Sequence, residues 1–107
     1  MPKSISLADL SNSPDAPLLI DVRKEPARAA SGLTIPGSLR GEPERAAEWA
    51  VALHGRTVVV FCVHGHEVSR GVADRLTALG VDCRYLEGGF VAWQVRSNPV
   101  EAIGACG

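Results

Sequence analysis

The sequence predicts an α/β domain with a mainly parallel sheet flanked by helices. Three observations carry that expectation. Short apolar runs of strand character alternate with helical patterns, the order in which crossover connections build a parallel sheet. The clearest run, residues 57–62, is β-branched and apolar on both faces, as a central strand covered on both sides must be. Finally, 107 residues suffice for one hydrophobic core and leave no room for a second of useful size. Residues 1–107 are therefore expected to form one domain, with a core of about 4–95 and a tail of 96–107.

The elements follow in order along the chain. Residues 6–10 read as a short helical turn, with Ser6 as N-cap and Asp9 in the capping-box position. Residues 12–17 are a turn-rich connector. Residues 18–23, Leu-Leu-Ile-Asp-Val-Arg, make a buried strand, too short and too uniformly apolar at its start for an exposed one. One or two helical turns over 25–30 end near Gly32, and residues 35–40 hold a Pro-Gly turn and a very short strand. From Pro43 a helix follows, because Ala46, Trp49, Ala50 and Leu53 recur at helical spacing and Gly55 stops it. After the 57–62 strand, Val68, Val72, Leu76 and Leu79 form the stripe of another helix, stopped by Gly80. Residues 83–86 are a strand closed by Glu87, Gly88 and Gly89, and 90–93 begin a short helix. The tail is expected to add a turn capped by Asn98 with Pro99 at its first position.

Composition narrows the function classes. With 46% hydrophobic and 21% charged residues the chain is an ordinary globular one and not a disordered one. A net charge of -1 offers no basic field for nucleic acid. The apolar runs fall far short of a membrane span, and the N-terminus lacks the apolar core of a signal peptide, so a cytoplasmic protein without membrane partners is expected. Three widely spaced cysteines do not make a disulfide framework, so each is judged by its surroundings.

In parallel α/β sheets, sites lie beyond the carboxyl ends of strands, where Cys62 and Arg23 both fall. A loop that leaves a strand and enters a helix presents free N–H groups, and the helix N-terminus adds partial positive charge. A thiol at the base of such a loop ionises more readily, and the thiolate is the nucleophile. Gly65 lets the loop bend where other residues resist. The bland alternative is a buried cysteine at the end of a strand.

Here the residues resemble a family. Phe61-Cys62-Val63-His64-Gly65 before a helix, Leu86-Glu87-Gly88-Gly89-Phe90-Val91-Ala92-Trp93 downstream, and Leu18-Leu19-Ile20-Asp21-Val22-Arg23 followed by Ile35-Pro36-Gly37-Ser38 upstream all resemble a single-domain rhodanese. The resemblance runs from about Ser4 to Val95 in the expected order. It implies a three-layer fold with a five-stranded, mainly parallel sheet, and a catalytic cysteine, Cys62, that carries a persulfide. No cofactor or metal is implied; the partners are a small sulfur donor and a thiol, protein thiol or cyanide acceptor.

The sequence departs from the family at the active loop. Sulfur-transferring members usually have a six-residue loop, Cys-x-x-Gly followed by basic or hydroxyl residues. The interval from Cys62 to Gly80 is one residue longer, which implies either a seven-residue loop from Cys62 to Val68 or a six-residue loop ending at Glu67. Longer loops occur in the phosphatases and arsenate reductases of this fold, but those carry Cys-x5-Arg, and Val68 stands at the Arg position. Without that bidentate clamp, phosphatase chemistry is not expected. Glu67 lies at the helix N-terminus, where a carboxylate complements the helix dipole; it also repels a dianionic donor such as thiosulfate. Thiosulfate activity should therefore be weak and rise when Glu67 is changed to Gln or Lys. In the Gly-His-Ile-Pro-Gly string usual in the family, this chain has Gly32-Leu33-Thr34-Ile35-Pro36-Gly37, without the histidine.

The remaining candidates are supporting ones. Amides of Val63, His64, Gly65, His66, Glu67, Val68 and Ser69 would stabilise an anionic terminal sulfur, with His66 the best source of polar assistance. Cys62, His64 and His66 form a Cys-x-His-x-His pattern of metal-ligand type, but so tight a loop rarely turns three side chains to one centre, and no metal site is assigned. Arg23 either approaches the loop or forms a structural ion pair, with Asp21 holding loop backbone. Arg70 either reaches the mouth or lies solvated on the surface. Cys83 reads as inert core, and Cys106 as a tail thiol that either resolves a Cys62 persulfide or is incidental. The leading expectation is a rhodanese-like sulfurtransferase. The rivals are a thiol-based arsenate- or chromate-type oxyanion reductase and a non-catalytic binding module.

Overall fold

The computed structural model describes residues 3–13 and 16–103. Its elements are β1 (Lys3–Ile5), α1 (Leu7–Ser11), β2 (Leu18–Asp21), α2 (Glu25–Ser31), β3 (Leu33–Thr34) and β4 (Leu39–Arg40). A mixed helical segment follows, with 3-10 turns at Pro43–Arg45 and Val51–Leu53 on either side of α3 (Ala46–Ala50). Then come β5 (Thr57–Phe61), α4 (Glu67–Ala78), β6 (Asp82–Leu86), α5 (Gly89–Val95) and β7 (Glu101–Ala102). Five strands form one wholly parallel sheet in the order β1-β6-β5-β2-β4. This is the expected three-layer α/β architecture with the 57–61 strand at its centre.

The sheet is central because its strands can be buried on both faces. Along β5, Val58 and Val60 pack into a cluster with Ala46, Ala50, Val72, Ala73 and Leu76 of α3 and α4. Val59 and Phe61 point the other way, into a cluster with Ile5, Leu86 and Phe90 that Leu7, Leu10 and Trp93 of α1 and α5 cover. Side chains of successive strand residues leave opposite faces, so a run of apolar residues supplies both cores at once.

Local chemistry sets several boundaries as expected. The Ser6 side chain accepts a hydrogen bond from the Asp9 amide at 3.1 Å and caps α1. Gly32, at φ +68°, ends α2 in the left-handed conformation. Other boundaries moved. The strand expected over 18–23 ends at Asp21; the Val22 amide still donates to Phe61 O at 2.9 Å, and Arg23 folds back into a buried ion pair with Asp21. Leu79 is 42% exposed and lies outside the α4 stripe, whose buried face is Ser69, Val72, Ala73 and Leu76. The turn expected at Asn98 and Pro99 is absent. Residues 101–102 instead form β7, antiparallel to β3, with the Ile103 amide donating to Gly32 O at 2.9 Å. Trp93 Nε1 donates to Pro99 O at 2.6 Å and turns the chain toward that ribbon.

Candidate active site

The alternation along β5 decides where the thiol points. Cys62 continues the Val58–Val60 side and so turns toward α4. It is 5% exposed, and its Sγ lies 3.1 Å from the Oγ of Ser69, a fully buried residue in the first turn of α4. As a thiol the sulfur donates to that hydroxyl; as a thiolate it accepts from it.

Between Cys62 and α4 the backbone turns at Gly65, φ +73°. The carbonyls of Cys62 and Val63 are taken by α5: the Phe90 amide donates to Cys62 O at 2.8 Å and the Val91 amide to Val63 O at 3.0 Å. Each trans peptide unit is planar, so the amides sharing those units, of Val63 and His64, are directed away from α5. Among the described residues none of the amides of residues 63–69 donates to a backbone carbonyl. The approach of the two segments leaves no room for side chains. A Cβ on Gly89, φ +59°, would stand 2.5 Å from Cys62 O, and one on Gly65 would stand 2.7 Å from Leu86 O.

A cleft of about 420 Å³ opens over the sulfur. Val63, His64, His66, Glu67 and Val68 line its loop side, and Arg23, Lys24 and Ala27 form the facing wall. The rings of His64 and His66 are 6.1 Å apart, and both side chains are exposed. Glu67 is the first residue of α4, exposed, in the position that complements the helix dipole. The loop ends at His66, and the amides of Glu67, Val68 and Ser69 belong to the first helical turn, where no intrahelical partner exists. The six- and seven-residue alternatives thus divide one continuous row of donors.

The comparisons with known proteins bear on the family and the fold. The family model of the rhodanese-like domain matches residues 5–96. The chain belongs to the rhodanese-like domain family. Among solved structures it is similar to a rhodanese-related protein from Thermoplasma volcanium, with 27% identity, coverage of 92% of this chain and 97% of that one, and a TM-score of 0.79. It is also similar to a possible tyrosine phosphatase from Rhodopseudomonas palustris (22% identity, 94% and 85% coverage, TM-score 0.76). A thiosulfate sulfurtransferase from Pseudomonas aeruginosa matches at 22% identity, 95% coverage of this chain and 20% of that one, and TM-score 0.73. At that identity the last two speak for the fold alone. No curated protein sequence gives a significant match.

Within this rhodanese-like domain the supporting residues are sorted by their contacts. Arg23 is 1% exposed and committed to structure. Its Nε and Nη2 donate to the two Asp21 carboxylate oxygens at 3.0 and 2.7 Å, and Nη2 also donates to Leu33 O at 2.6 Å. Its guanidinium stacks 4.4 Å from the Phe90 ring centroid. Asp21 further accepts from the Arg23 amide, Arg28 Nε and Thr34 Oγ1. The backbone it holds is the segment after β2, not the Cys62 loop. Arg70 lies over Tyr85, 5.3 Å from the ring centroid, and does not line the Cys62 cleft.

Cys83 is buried core; burial, with the charge of Asp82 adding to it, pushes its thiol up to about 12. Cys106 lies outside the described residues. Among the described residues no three His, Cys, Asp or Glu side chains gather as metal ligands, and no helix is long and apolar enough to cross a membrane.

Sequence reasoning missed two residues of the cleft, Lys24 and Ala27. The strand order supplies the reason: both follow the carboxyl end of β2, which neighbours β5 in the sheet, and loops at the ends of adjacent parallel strands converge.

Proposed function

We propose that this domain is a sulfurtransferase that carries sulfane sulfur as a persulfide on Cys62. The observation that carries the proposal is the Cys62 sulfur at the floor of an open cleft, beside the Ser69 hydroxyl and a row of amides with no backbone partner. The Cys62 thiolate attacks the outer sulfur of a donor such as thiosulfate; the S–S bond breaks and sulfite leaves with the electron pair. A thiolate or cyanide acceptor then attacks the terminal sulfur of Cys62–S–S⁻, and the Cys62 thiolate leaves. Both steps place negative charge in the loop, where unpaired N–H groups and a helix N-terminus stabilise it without reorganisation.

Phosphoryl transfer is less well served. Val68 stands where a guanidinium would clamp the oxyanion, and Arg23 is held by Asp21. The test is mass spectrometry of the protein after incubation with thiosulfate, polysulfide or mercaptopyruvate. One added sulfur on Cys62, absent in Cys62→Ser, is expected; no adduct from any donor would sink the proposal.

A further inference from the structure

We infer that the cleft over Cys62 is built for a singly charged organic sulfane-sulfur donor with a small apolar body, in preference to inorganic thiosulfate. This rests on the sulfurtransferase reading and names its donor class.

Size, wall chemistry and charge all point this way. A space of about 420 Å³ lies in the range that holds whole organic ligands, and the small thiosulfate ion would leave most of it to water. Ala27, Val63 and Val68 give the walls a carbon surface. Val68 also packs against the core cluster on its inner side, so that wall is fixed. Arg23 lines the cleft, but its Nε and Nη2 are taken by Asp21 and Leu33 O and are not offered to a ligand. Lys24 is the one lining lysine or arginine that pairs with no carboxylate among the described residues, and Glu67 opposes it at the rim. Beyond the backbone amides, the lining therefore offers the second charge of a dianion no side-chain cation that is not already opposed by a carboxylate. A monoanion with an apolar body meets less repulsion and buries its carbon against the walls.

For a thiosulfonate, R–SO₂–S⁻, the Cys62 thiolate attacks the terminal sulfur, the S–S bond breaks, and the sulfinate R–SO₂⁻ leaves with the electron pair. The product is the same Cys62–S–S⁻. For an organic persulfide the leaving group is the thiolate R–S⁻.

The experiment compares benzenethiosulfonate with thiosulfate as donors, reading the rate of Cys62 persulfide formation by mass spectrometry at low ionic strength. Each rate is divided by that donor's rate with free cysteine, which removes the difference in leaving group. The normalised ratio is expected to favour benzenethiosulfonate at least about tenfold, the scale of discrimination an apolar pocket supplies. Glu67→Gln should raise the thiosulfate rate and narrow the ratio. A ratio of one or below overturns the inference while leaving the sulfurtransferase reading intact. If neither donor loads Cys62, binding to Cys62→Ser protein decides the inference, and the sulfurtransferase reading falls only if polysulfide and mercaptopyruvate also leave no adduct. Saturable shifts of the His64 and His66 NMR resonances with benzenethiosulfonate alone support the inference; shifts with neither ligand, or equal shifts with both, refute it.

Discussion

Ser69→Ala removes the one hydroxyl that, among the described residues, contacts the Cys62 sulfur. The contact is 3.1 Å long between buried groups, so no water replaces the lost partner without rearrangement. A hydrogen bond to a charged group contributes about 1.5–3 kcal/mol, and about 1.4 kcal/mol is a factor of ten. Losing it should disfavour the thiolate against the thiol by about 10- to 100-fold and slow the reaction at a fixed pH by up to that factor. The amides of residues 63–69 remain in place, which puts the expectation at the lower end. The neutral thiol is a weak donor and tolerates the loss, so the fold should be nearly unaffected. The assay is the second-order rate of iodoacetamide alkylation of Cys62 at one fixed pH, resolved by peptide, with buried Cys83 as the unreactive internal reference. Ser69→Thr keeps the hydroxyl and should recover much of the rate. Alkylation of Ser69→Ala no slower than wild type, with an unchanged melting transition, would refute the assignment of Ser69 as the partner that stabilises the thiolate.

Further outcomes follow from the contacts. Asp21→Asn leaves the buried Arg23 guanidinium without its counter-charge, and denaturant unfolding should show a loss of about 3–5 kcal/mol; Asp21→Leu combined with Arg23→Met should recover most of it. Gly89→Ala forces a Cβ to 2.5 Å from Cys62 O at φ +59°, so both stability and Cys62 persulfide formation should fall. Gly32→Ala, also at positive φ but with open space around it, should lower stability alone. Cys83 gives an alkaline dependence: its thiol titrates near 9.0 when unfolded and is pushed up to about 12 when folded. The unfolded state therefore releases its proton first, and stability falls as pH rises between those values, by up to about 1.4 kcal/mol per pH unit. Cys83→Val should flatten that slope in equilibrium unfolding; an unchanged slope would contradict it.

The fold was legible because its strongest signals are local and periodic. The 57–62 run could only be a strand covered on both sides, and the Ser6 cap and the Gly32 stop follow from the chemistry of single residues. The errors lie where tertiary contacts overrule local preference. Leu79 keeps helical spacing, but it is the C-cap that follows the last residue of α4, and its side chain is left exposed. The Asn98-Pro99 pair reads as a helix start, but Trp93 and the exposed edge of β3 draw the segment into an antiparallel ribbon. At the site, Cys62 and the loop amides were legible from the strand-loop-helix order and the family strings. Ser69 was visible only as one of seven loop residues. Its contact with sulfur depends on one helical turn bringing position 69 back over position 62, which no linear pattern states. Lys24 and Ala27 needed the strand order, because nothing in the sequence says that β2 lies beside β5.

The hold of α5 on the loop also bears on how such a site diversifies. Main-chain amides of Phe90 and Val91 secure the carbonyls of Cys62 and Val63, so the cradle is written in backbone and in two glycines. The side chains at 63, 64, 66 and 67 take little part in shaping it and are free to change. On the sulfurtransferase reading, a lineage or an engineer could therefore exchange one donor for another by editing the rim while Cys62 and the loop amides pass unaltered from variant to variant.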